Sequence, residues 1–128
     1  MQLTQEKSMS AEIISHFDGI VTAKITGKLT HADLTAMQQD AFGIIGREGG
    51  IRVLIICEDF QGWGKEGDWE DVSFQNKSDP YINKMALVGD KKWADLALMF
   101  TGKGFREFPI EYFEPGEIDK ARAWLKEY

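Results

Sequence analysis

Residues 51–56 read Ile-Arg-Val-Leu-Ile-Ile, an apolar run broken only by Arg52. A strand with one wet face alternates apolar and polar residues; a nearly continuous apolar strand is covered on both faces. The run therefore predicts a central parallel strand with helices packed against it, and so an α/β domain.

The flanking sequence supplies the neighbours such a strand needs. Residues 11–17 and 20–26 are short apolar runs on either side of Asp18-Gly19, a strong hairpin signal. Thr30 is a good N-cap, with Asp33 three residues on as a short capping-box partner. Leu34, Met37, Ala41, Ile44 and Ile45 then recur at helical spacing, and Gly49-Gly50 ends that helix. Residues 58–67 form a glycine-rich loop containing Trp63. Asp68 is the expected cap of a second helix, with Trp69 and Val72 facing inward. Asp79-Pro80 ends it, because the residue before proline avoids helical angles. Residues 82–88 read as the next strand. Gly89-Asp90 opens a third helix whose apolar face is Trp93, Leu96, Ala97 and Phe100, closed by Gly102 and Gly104.

Phe108, Ile110 and Tyr112 alternate as a fifth strand, and Pro109 points to an edge position. Pro115 suits the first turn of a last helix with Ile118, Ala121 and Leu125 as its buried stripe and Trp124 in a core or helix–sheet contact. The order is β-β-α-β-α-β-α-β-α. It predicts a mobile polar start at 1–10, then one domain over 11–128: a mixed, mostly parallel five-stranded sheet with four helices.

Charge and cysteine content narrow the function classes. A formal net charge of -6 argues against wrapping a nucleic-acid backbone, which needs clustered Lys and Arg. The single Cys57 cannot form an internal disulfide, which fits a reducing compartment. Its neighbours Glu58 and Asp59 raise a thiol pKa, so it reads as a core thiol rather than a nucleophile. Apolar runs fall far short of the roughly 20 residues that span a bilayer, and residues 1–10 lack a secretory h-region. The expectation is a cytoplasmic protein with no integral membrane segment, no nucleic-acid partner, no metal and no cofactor.

Four stretches, taken with the element order, carry a resemblance. They are GKLTHADL (27–34), IRVLIICEDFQGW (51–63), VGDKKW (88–93) and YFEPGEIDKARAWL (112–125). Together they resemble the SpoIIAA-like family of small bacterial STAS-type domains, some described as STAS/SEC14-like. The match covers nearly the whole chain from about Ile13 onward. It implies a short β/α superhelix and no defined activity. The better-known branch antagonises anti-sigma factors through a phosphorylatable Ser or Thr at the start of the helix after the central strand. Here that stretch is Glu58-Asp59-Phe60-Gln61-Gly62-Trp63, which has no hydroxyl, and the nearest, Ser73, falls in the second helix. The resemblance therefore does not carry over a phosphate switch.

Several residues could carry chemistry. Residues 62–67 match GxGxxG, with Asp90 further on where a ribose-binding acid would sit. Five residues separate the apolar strand from Gly62, so the tight turn onto a phosphate is absent, and Glu66 and Asp68 oppose a pyrophosphate. The plainer reading is a flexible surface loop whose glycines allow positive φ. Glu58, Asp59, Asp68, Glu70 and Asp71 offer acid–base groups but no recognised metal spacing. His16 and His31 lack partners at metal spacing. Asp90-Lys91-Lys92 is either an anion site at a helix start or a capped, solvated first turn, and the aspartate favours the second.

The aromatics Phe60, Trp63, Trp69 and Trp93 are placed to converge near the carboxyl ends of the central strands, a favoured ligand position in open α/β sheets. The candidate ligand- or partner-binding residues are Asp59, Phe60, Trp63, Trp69, Asp90, Lys91 and Trp93. One expectation is a non-catalytic regulatory or protein-interaction domain, self-associating or bound to a protein partner. The alternative is a carrier or sensor of a small apolar or amphiphilic ligand under the aromatic loop at 58–69. No nucleophile, base and oxyanion donor can be assigned together, so an enzyme ranks third.

Overall fold

Asp18 and Gly19 both hold positive φ, 58° and 77°. They join β1 (Ala11–Phe17) to β2 (Ile20–Thr26) as a two-residue mirror-image turn, whose twist suits the strands it connects. Aspartate tolerates the left-handed region and glycine enters it freely. β3 (Ile51–Glu58), β4 (Ile82–Val88) and β5 (Ile110–Phe113) complete one sheet in the order β1-β2-β3-β4-β5. β1 runs antiparallel to β2, and every other neighbouring pair is parallel. The structure, a computed structural model, describes residues 10–67, 69, 73–104 and 106–127.

Side chains of β3 alternate between two apolar environments, which is why the run at 51–56 needs no polar positions. Leu54 and Ile56 meet Ala121 and Leu125 of α4 (Ile118–Lys126). Val53 and Ile55 face the other side, among Met37 and Ile45 of α1 (His31–Glu48) and Met85 and Leu87 of β4. Leu54 and Leu125 are fully buried, and each such side chain stabilises the fold by about 1.5–3 kcal/mol relative to exposure. The central strand and the last helix are thus as the pattern required.

Several expectations are revised. Thr30 Oγ1 does accept from the Asp33 N–H at 3.1 Å, but the Asp33 carboxylate turns to Ser10, accepting from its N–H and its hydroxyl at 2.7 Å each. The Ser10 hydroxyl oxygen in turn accepts from the Thr30 N–H at 3.1 Å. Ser10 therefore completes the cap of α1 from 23 residues away, and the expected loose start at 1–10 is fixed at its last residue. The remaining residues, 1–9, lie outside the described residues.

α2 is the short helix Ser73–Ser78, followed by a 3-10 turn at Asp79–Tyr81. Trp69 precedes it in a turn, while Asp68 and Val72 lie outside the described residues. α3 (Ala94–Thr101) follows a 3-10 turn at Lys91–Trp93 and ends at Gly102 in the left-handed region, φ 79°. Its inward side is Ala97 and Leu98, and Leu96 faces outward.

Both margins of the sheet are irregular. The register of β1 shifts between Ile13 and Ser15, leaving Ile14 as an extra residue. β5 lies at the opposite margin after Pro109, and Lys103 Nζ donates to the Ile110 carbonyl and to Glu111.

Candidate functional site

β3, β4 and β5 are parallel and end together, so the chain segments that leave them share one edge. Asp59 leaves β3 with φ 48°, which turns the chain back across the sheet. Gln61 N–H then donates to Gly27 O at 2.9 Å, Leu29 N–H to Gly62 O at 2.8 Å, and Gly64 N–H to Leu29 O at 2.7 Å. The segment 61–64 is therefore zipped to 27–29 by backbone bonds, and the first half of the glycine loop is a fixed extension of the sheet rather than a flexible lid. Gly62 sits at φ 100° in a buried position beside the Trp93 ring, and Gly67 at φ 102° against His31. Turn geometry and close packing account for the glycine pattern without a phosphate.

This zipper aims Phe60 and Trp63 inward. Phe60 lies edge-on to Trp63 and to Trp93, with ring centroids at 5.0 and 4.9 Å. Trp63 and Trp93 are 6.0 Å apart at 80°. Phe100 of α3 meets Trp63 at 5.2 Å and Trp69 at 5.7 Å, and Trp69 reaches His31 at 4.9 Å. Edge-to-face aromatic pairs contribute about 0.5–1.5 kcal/mol each beyond the area they bury. Trp69 Nε1 donates to Gly64 O at 3.0 Å. Trp63 Nε1 and Trp93 Nε1 are buried with no hydrogen-bond partner among the described residues.

Beneath the rings, against Ile25, Ile55 and Leu87, is a hollow of about 40 Å³. A second apolar hollow of about 100 Å³ lies between α1 and the 75–78 segment, lined by Met37, Ile51, Val53, Met85 and Arg106 among others. Ile55 and Thr101 border both.

Outside the strand ends is an open crevice of about 410 Å³, lined by Cys57, Glu58, Asp59, Phe60, Asp90, Lys92, Trp93 and Pro115. Burial pushes the Cys57 thiol up to about 11. Burial, followed by the charges of Cys57 and Asp90, raises Tyr112 to about 12. The Tyr112 hydroxyl donates to the Asp90 carbonyl at 2.8 Å. Glu58 is held by Lys24 at 2.6 Å, which raises the Lys24 pKa first by the hydrogen bond and then by its charge. Asp90 caps the turn after β4 by accepting from Lys92 N–H at 2.9 Å.

Asp59, Phe60, Asp90 and Trp93 thus meet in the crevice, and Phe60, Trp63 and Trp93 meet again over the smaller hollow. Lys91 opens the turn after Asp90, but Lys92 is the lysine on the crevice wall. Trp69 lines neither cavity and joins the cluster through Phe100, His31 and its bond to Gly64 O. Sequence reasoning did not place Phe100, Thr101, Cys57 and Tyr112 at this site. Phe100 carried a signal, being seven residues beyond Trp93 on the same apolar pattern. Among the described residues no group of three or more His, Cys, Asp or Glu could hold a metal ion. No helix among them is long and apolar enough to cross a membrane.

The fold and the sequence match known proteins in two ways. The chain resembles the crystal structure of an uncharacterised protein of the DUF3478 family with a SpoIIAA-like fold from Shewanella loihica PV-4. The TM-score is 0.67 at 21% identity, over 95% of this chain and 98% of that one. A search of curated protein sequences finds no match. The SpoIIAA-like family model matches residues 20–126, which covers β2 through α4. This chain belongs to the SpoIIAA-like family.

Proposed function

We propose that this chain is a non-catalytic interaction domain that docks a protein partner, or a second copy of itself, through the outward side of α3. One observation carries the reading. Leu96 and Met99, three residues apart on one side of α3, are 48% and 74% exposed, Phe100 at the edge of the aromatic cluster is 36% exposed beside them, and no residue of this apolar helix is fully buried. Clustered exposed apolar side chains mark interaction surfaces more often than isolated ones do. The raised thiol pKa of Cys57 supports a role without covalent catalysis, and its unpaired state fits a reducing cytoplasm. The test is affinity capture together with sedimentation of wild type and Met99→Asp. Loss of a specific partner, or of self-association, in the variant supports the reading. Wild type that is monomeric and captures nothing rejects it.

A second reading, carriage of a small apolar or amphiphilic ligand, is favoured by the paired hollows that share Ile55 and Thr101 as a wall. Native mass spectrometry tests it. An added mass lost on denaturation supports carriage, and a bare chain over a titration of fatty alcohols counts against it.

A further inference from the structure

α4 covers only part of its side of the sheet. It packs on Leu54, Ala86 and Val88 of β3 and β4, and in this cluster it meets β2 only at Ile20. Residues directly opposite on paired strands share a face, so Phe17, opposite Ile20, and Ser15, opposite Thr22, lie on this same side. Both are exposed, and Phe17 at 80% is the barest large apolar side chain among the described residues. The strip is bordered by Arg122 and Lys126, four residues apart on one side of α4, with a hollow of about 70 Å³ between. Lys24, Lys103, Lys120 and Arg106 each hold a carboxylate, whereas Arg122 and Lys126 have no ion-pair or hydrogen-bond partner among the described residues. Lys126 in the last turn suits the helix dipole, but Arg122 in the middle of α4 gains nothing from it.

We propose that this strip docks an acidic peptide segment of a protein partner, its carboxylates on Arg122 and Lys126 and an apolar side chain on Phe17. In a chain of net charge -6, two unpaired cations beside a bare aromatic ring are a local reversal of charge. The complementary chemistry is anionic and partly apolar: a guanidinium takes a carboxylate through two hydrogen bonds, and covering the ring removes apolar surface from water. Asp18 also lines the hollow, at the turn, and repels a further anion there, so the carboxylates belong on the α4 side. The peptide lies across the face rather than along the edge of β1, whose extra Ile14 interrupts the row of backbone donors and acceptors. α3 sits on the opposite face, where Ala97 and Leu98 join the cluster of Ile55 and Leu87. The strip and the outward side of α3 are therefore separate surfaces, and one domain can hold two partners at once.

The experiment is fluorescence anisotropy of a fluorescein-labelled peptide, Glu-Asp-Glu-Phe-Asp-Glu, titrated with the full chain at low salt. A counterpart with lysine in place of every acid is the control. The expected result is saturable binding of the acidic peptide that weakens as salt is added. It should fall roughly tenfold or more in the double variant Arg122→Glu, Lys126→Glu, and fall also in Phe17→Ser, while Met99→Asp binds like wild type. All these positions are exposed, so the variants should fold, which circular dichroism melts check. Should the charge reversal unfold the chain, Arg122→Gln with Lys126→Gln carries the same test. No saturable binding of the acidic peptide, equal binding of the lysine control, or binding untouched by the charge reversal overturns the proposal. A loss in Met99→Asp equal to that in the charge-reversed variant also overturns it, by moving the contact to α3. Binding to phosphatidylserine vesicles without binding of the peptide overturns it in favour of a membrane surface.

Discussion

Arg106 grips Asp79 with two nitrogens, Nε on Oδ2 at 3.0 Å and Nη2 on Oδ1 at 2.5 Å. Its third nitrogen, Nη1, donates to the Thr101 carbonyl at 3.1 Å, and the guanidinium lies 4.6 Å over the Phe108 ring. One side chain therefore ties the end of α3 to the turn before β4 and walls the larger hollow. A planar fork that fills this many roles cannot be replaced by a point charge.

Arg106→Ala is expected to lower stability by about 2 kcal/mol, between the values for exposed and fully buried ion pairs. Arg106→Lys should recover less than half of the loss, because an ammonium cannot hold both carboxylate oxygens and the carbonyl together. Urea unfolding of the three proteins measures this. Equal stability of wild type and Arg106→Ala would show that the clamp is energetically idle.

Gly89 lies where β4 leaves the sheet, and a methyl group there would stand 2.6 Å from the Tyr112 hydroxyl and 3.3 Å from Cys57 Cβ. Gly89→Ala should cost about 1–3 kcal/mol by overpacking. Tyr112→Phe removes the nearest clashing atom, so the double variant should be more stable than the sum of the single effects predicts. Strict additivity in thermal or urea melts would mean that the backbone, not the hydroxyl, absorbs the strain.

The thiol of Cys57 titrates near 11 in the fold, against an ordinary value of 9.0, and Tyr112 near 12 against 10.0. For each, the folded state keeps its proton longer than the unfolded state does. Their contribution to stability is therefore complete below pH 9 and is lost as pH rises from about 9 through 11 and 12. Cys57→Ala should flatten the lower part of that decline, read from unfolding free energies between pH 8 and 11. At pH 8 a thiol reagent should label native Cys57 far more slowly than the urea-unfolded chain. Rapid labelling of the native protein would mean that the thiol is open to solvent.

Met99 is 74% exposed, so Met99→Asp should change stability by no more than about 0.5 kcal/mol. Capture of a partner or copy should nevertheless fall at least tenfold if α3 is the docking surface. A large loss of stability in this variant would instead place Met99 inside a packed interface of the monomer.

How much of this was legible depended on the range of the interaction that decided each feature. The hairpin, the central strand and the last helix were readable because Asp18-Gly19, the run at 51–56, and Ile118, Ala121 and Leu125 are local patterns with local causes. The facing of α3 was misread at Leu96. Ala97 and Phe100, four and seven residues beyond Trp93, do reach the core and the aromatic cluster, so the count from Trp93 fails at Leu96, and Leu98 packs on the core instead. The candidate site was half legible. The aromatics announced themselves, but the bonds that fix 61–64 reach back to 27–29, and the cap of α1 is completed by Ser10. Neighbour patterns along the chain hold no trace of such pairings.

The irregular sheet margins have a consequence for how this chain can aggregate. Adding a strand to a folded copy requires an even row of free donors and acceptors. At one margin the extra Ile14 breaks that rhythm, and at the other Lys103 already occupies the Ile110 carbonyl. Among the described residues both sheet margins are thus poor templates for a cross-β ribbon, and fibril growth by this protein is expected to begin with unfolding.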